Sequence, residues 1–87
     1  MHSIRNKEGG RKKLMLKLPA LREQLRLLSN DAIDDLFESY ELATTALERF
    51  SFNLESNSKL IAEYKQLCSD IEAEVEVYVH RIKWGVP

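Results

Sequence analysis

The sequence predicts an all-α protein. Its expected core is an antiparallel helical hairpin of two long heptad-patterned helices. A short N-terminal helix completes it, as a three-helix arrangement or as a four-helix bundle on dimerisation. Two apolar seams and the polar break between them carry this prediction. Ile33, Leu36, Tyr40, Ala43, Leu47, Phe50 and Leu54 step alternately by three and four, the spacing that keeps apolar residues on one helix face. Ile61, Tyr64, Cys68, Ile71, Val75, Tyr78 and Ile82 repeat the rhythm. Between them, Glu55-Ser56-Asn57-Ser58 gathers residues that favour turns and caps.

Residues 1–12 show no apolar periodicity and contain Gly9-Gly10. They are expected to form a flexible basic tail, with the glycine pair as a hinge. A single helical domain then covers 13–87. Its short helix is expected at about 19–28, because Pro19 suits a first turn and Leu18, Leu21, Leu25 and Leu28 make a narrow stripe. Ser29-Asn30-Asp31 is a cluster of N-cap residues, opening a long helix at about 31–53. Asp31, Asp34 and Asp35 lie where the helix dipole favours anions. The last helix is expected at about 58–83, stopped by Trp84-Gly85-Val86-Pro87. One pattern competes with this reading. Ile71–Val79 and Lys13–Leu18 alternate with period two and carry opposite charges, as two paired strands would. Helix is preferred, because Glu and Ala are poor strand formers and the seam runs past both ends of the alternation.

Composition excludes several classes. At 44% hydrophobic the 87 residues are too apolar for disorder throughout, and one cysteine builds no disulfide framework. No apolar run approaches the ~18 residues that span a bilayer, and the basic start lacks the apolar core of a secretory signal. A cytoplasmic protein is expected. The net charge of −1 hides an asymmetry. Residues 1–28 hold eight Lys/Arg and two acids, net +6, whereas 29–87 hold five bases and twelve acids, net −7. A basic arm either pairs with an acidic body or reaches a polyanion. The charge of this body favours the first.

No catalysis, cofactor or metal site is expected. Glu76 and His80 share a helix face but are two ligands only. Cys68 sits in the seam, where a thiol acts as a small hydrophobe. Tyr40, Tyr64 and Tyr78 are seam residues, and Asp34, Glu38, Glu41, Glu48, Glu63, Glu72, Glu74 and Glu76 read as solvated faces. Two helices alone bury too little to be stable. The apolar residues off the seams exceed what one hairpin interface covers. The expected function is therefore protein–protein interaction or assembly, by self-association (a dimer favoured) or by docking on a helical protein. Phe37, Leu60, Leu67, Val79 and Trp84 are the expected contacts. The alternative is a nucleic-acid-associated accessory protein that grips phosphates with Arg11, Lys12, Lys13 and Lys17. No helix-turn-helix spacing, zinc ligands or RNA-stacking aromatic motif accompanies those cations.

Overall fold

The structure is a computed structural model that describes residues 4–83. It is all-helical. Its four α-helices among the described residues are α1 (Ile4–Lys17), α2 (Arg22–Leu27), α3 (Asp31–Phe50) and α4 (Leu54–Lys83), with a 3-10 turn at Pro19–Leu21. Both segments that alternate with period two are helical, 13–17 within α1 and 71–79 within α4.

The first departure from expectation is α1. Residues 4–12 are not a tail but most of a helix that lies along α3. Lys7 Nζ reaches Asp34 Oδ2 at 3.2 Å, and Lys13 Nζ reaches Glu41 Oε1 at 2.9 Å and Thr44 Oγ1 at 2.8 Å. Contacts that advance together mean that α1 and α3 run in the same direction. Gly10 is buried between these two pairs, and a Cβ there would overlap the backbone carbonyl group of Phe37. Within the glycine pair that reads as a hinge, Gly10 is the point where two helix backbones meet. Glycine costs a helix about 1 kcal/mol relative to Ala, so it was a poor helix signal. Packing overrides that preference.

α1 ends at its proline. Leu18 N donates to Leu14 O at 2.8 Å, and Pro19 opens the 3-10 turn, closed by Leu21 N on Leu18 O at 2.9 Å. The expected helix at 19–28 is therefore this turn followed by the six residues of α2. Asn30 caps α3 as anticipated for its cluster: its backbone is extended and its Oδ1 accepts from Ile33 N at 3.0 Å. At the other end of α3, Ser51 N and Ser51 Oγ both donate to Leu47 O. α4 starts four residues earlier than expected. Asn53 Oδ1 accepts from Ser56 N at 3.3 Å, while Asn57 Nδ2 donates to Phe50 O at 3.2 Å. The polar cluster that reads as a break thus lies in the first turns of α4, its Asn57 closing the end of α3, and the turn is confined to 51–53.

α3 and α4 touch in opposite order along their lengths. The Phe50 and Tyr64 rings stack at 5.6 Å, Tyr40 Oη donates to Glu72 Oε2 at 2.6 Å, and Asn30 Nδ2 donates to Tyr78 Oη at 2.6 Å. Leu14 from α1 and Leu25 from α2, both fully buried, join Ile33, Phe37, Tyr40, Ala43, Cys68, Ile71, Val75 and Val79 in one core. Both seams begin on a buried residue, Ile33 or Ile61, and open at their C-terminal ends, where Leu54 and Ile82 are exposed.

Candidate interaction surface

Much of the N-terminal charge is spent inside the fold. Lys7 and Lys13 pair with Asp34 and Glu41 of α3. The Lys13–Glu41 contact is an ion pair without an aligned hydrogen bond, since Glu41 Oε1 is buried with no donor in hydrogen-bonding geometry. Arg11 is more deeply committed: its Nη1 donates to the carbonyls of Leu25, Arg26 and Leu28 at 2.6, 3.2 and 2.7 Å, and its Nε to Glu8 at 2.9 Å. The structure thus gives Arg11 and Lys13, two of the expected phosphate contacts, partners within the fold. Lys12 and Lys17 are exposed, as is Arg22, and a shallow groove is lined by Lys12, Met15, Leu16 and Arg22.

Two of the expected protein contacts are also corrected. Phe37 is fully buried, beneath α1 and with the Arg11 guanidinium 4.8 Å above its ring. Val79 is buried too, in the cleft where Leu27 and Leu28 approach α4. Both are covered from the chain's first half, Phe37 by α1 and Val79 by the α2 region. Trp84 lies outside the described residues. Leu60 and Leu67 remain as surface residues, 39% and 43% exposed.

The opposite side of the α3–α4 pair is open. There a groove of about 380 Å³ is lined by Leu36, Ala73, Glu74, Val77, Tyr78 and Arg81, with no residue of α1 or α2 among them. Val77 is 51% exposed. No family model, curated protein or solved structure matches this chain. The reading of the surface therefore rests on its own chemistry. Leu36 and Tyr78 are seam residues at the seam's edge, while Ala73 and Arg81 were passed over in the sequence. The spacing 74, 77, 81, which places an acid, a valine and a base on one helix face, is the signal that could have found Arg81, and Ala73 carries none.

The perturbed ionisable groups in the core all favour their neutral forms. Burial pushes the Cys68 thiol above its ordinary value; Glu72 adds to this, and Lys13 and Lys17 oppose it. Burial, reinforced by the hydrogen bond to Glu72 and that carboxylate's charge, raises Tyr40 far above the usual tyrosine range. Held neutral in an apolar core, the thiol packs as a small hydrophobe and the phenol donates its hydrogen bond to Glu72. A pH prediction follows from linkage. Above pH ~9–10 the unfolded chain releases these protons while the folded chain keeps them, so stability is lost as pH rises. Urea midpoints between pH 8 and 11 should fall for the native protein. Tyr40→Phe should flatten the upper part of that fall and cost about 1 kcal/mol at neutral pH, by leaving Glu72 without its donor. An equally steep fall in the variant would assign the alkaline loss to other groups.

Among the described residues no helix is long and apolar enough to cross a membrane, and no three His, Cys, Asp or Glu side chains are grouped to hold a metal ion.

Proposed function

We propose that this chain is a small helical assembly module, without catalysis of its own, that acts by self-association or by docking on a helical protein. The finer architecture belongs to the same proposal: α3 and α4 form an antiparallel hairpin, buttressed on one side by α1 and α2, and a second copy completes a four-helix bundle. The supporting observation is the open side of the α3–α4 pair. It presents a half-exposed valine in a groove with no residue of α1 or α2 in its lining, and Leu60 and Leu67 are further partly exposed apolar residues on the same long helix. Exposed apolar stripes of this kind mark contact surfaces in small helical proteins.

Light scattering coupled to size-exclusion chromatography tests the reading. The expected result is a mass that rises from one chain toward two as concentration increases from micromolar to millimolar. A mass fixed at 10.1 kDa over that range, together with no binding to amphipathic helical peptides, would overturn it. The nucleic-acid alternative keeps one supporting observation, the exposed Lys12, Lys17 and Arg22 around Leu16. It predicts a raised 260/280 nm absorbance ratio in protein purified without nuclease, collapsing at high salt. The acidic remainder of the chain opposes it by repelling the phosphate backbone.

A further inference from the structure

The groove between α3 and α4 has a charge pattern that is complementary to itself. Glu74, Val77 and Arg81 follow one another along α4 at steps of three and four, with Ala73 beside them. Glu74 and Arg81 are exposed and make no ion pair among the described residues. An acid and a base seven residues apart are about 10 Å apart along the helix axis, too far to neutralise each other. They are well placed, however, for a second helix laid antiparallel over Val77.

From this pattern we infer that the occupant of the groove is a second copy of this chain, related by a two-fold axis that passes between Val77 and Tyr78 of α4. The inference rests on the self-association reading above and names its surface. A two-fold contact is isologous: if residue i meets residue j, then j meets i. An antiparallel α4 centred there sets Glu74 opposite Arg81 of the second copy and Arg81 opposite Glu74, giving two reciprocal ion pairs around an apolar centre. Val77 lies at that centre opposite Tyr78 of the second copy, and Ala73, just beyond Glu74, is small enough to allow the close interaxial distances of helix packing. Leu36 of α3 forms the groove's other wall and contacts the incoming helix. No other pairing of this surface with itself satisfies both charges. A parallel alignment sets Glu74 against Glu74 and Arg81 against Arg81, which repel. The overlap of the two α4 helices runs only from about residue 72 to the helix end, so the dimer is weak and Leu60 and Leu67 lie outside it.

Charge reversal tests this geometry without touching the core. Glu74→Arg alone places arginine opposite arginine twice, and Arg81→Glu alone places glutamate opposite glutamate twice. Each single variant should dimerise at least about tenfold more weakly than the native chain by sedimentation equilibrium at low salt. An equimolar mixture of the two should then form a heterodimer, because both pairs are restored across chains. The double variant E74R/R81E should recover the native affinity by the same logic with its signs exchanged. Far-UV circular dichroism checks that every variant remains helical, and Lys59→Glu, on the same helix but outside the contact, should leave association unchanged. If the native chain dimerises and the single variants do so equally well, this surface is overturned while the assembly reading stands. If the singles lose association but neither the mixture nor the double variant restores it, the reciprocal two-fold geometry is overturned. A native chain that stays monomeric at millimolar concentration overturns this surface and self-association together, and leaves docking on a helical protein to the peptide-binding test.

Discussion

A Gly10→Ala protein is expected to lose most of its cooperative fold. In an exposed helix the same substitution would add about 1 kcal/mol of stability. Here the sign reverses, because the added Cβ would fall on the Phe37 carbonyl group, with Phe37 Cα 3.1 Å away. Those atoms are main chain within α3 and cannot rotate aside. Relief requires α1 to lift from α3, which separates Lys7 from Asp34 and Lys13 from Glu41 and uncovers Phe37 and Leu14. Overpacking alone costs about 1–3 kcal/mol, and the lost pairs add to it. A total of about 3 kcal/mol or more would lower the melting midpoint of a domain this size by roughly 12 °C or more. Gly9→Ala is the built-in comparison. Its Cβ would meet the Glu41 carboxyl group at 2.8 Å, the far end of a flexible side chain, so a loss below about 1 kcal/mol is expected once the gain in helix propensity is counted. Urea unfolding followed by circular dichroism separates the two. A Gly10→Ala chain as stable as the native one would mean that α1 does not dock at this point.

The same glycine marks the limit of what the sequence makes legible. The two long helices could be read from it because each carries an unbroken 3–4 seam, and the structure buries the middle of both: Ile33, Tyr40 and Ala43 in α3, and Ile61, Cys68, Ile71 and Val75 in α4. α1 could not be read in this way. Its segment Ile4–Lys17 is mostly polar, and the surface that it gives to the core is Gly10 and Leu14, with cations on either side. A helix held by a close backbone approach and by ion pairs has almost no apolar periodicity to detect. The charge asymmetry did point to it, since a +6 segment beside a −7 body pairs readily with that body. Missing α1 as a helix then displaced the surface. With no helix over α3, Phe37 reads as a spare aromatic on the outside, whereas its ring lies beneath Arg11. Leu60 and Leu67 kept their places as partly exposed residues of α4.

Arg11→Met is expected to unfold α2 selectively and to destabilise the whole by about 2–3 kcal/mol. α2 has only six residues and ends at Leu28 in an extended conformation, with no glycine to close it. A helix so short is unstable alone, and its last carbonyls have no partner within it. Arg11 supplies the partner from a different helix: one guanidinium nitrogen serves Leu25, Arg26 and Leu28 while Nε is anchored to Glu8 and the plane covers Phe37. Methionine keeps much of the apolar stem and removes every donor, leaving carbonyls at a part-buried site without compensation. Arg11→Lys keeps the charge but loses the Nε anchor and the planar contact with Phe37, so it should fall between Met and the native residue. Hydrogen exchange gives the local readout. The Leu28 amide, bonded to Gln24 O at 3.0 Å, should lose protection well before amides at the centre of α3. A variant within 0.5 kcal/mol of the native stability, with that amide still protected, would sink the assignment. The outcome also decides what the basic segment is for. A residue that grips phosphate changes affinity and leaves folding alone, whereas a cap from a neighbouring helix changes folding whether or not any ligand is present.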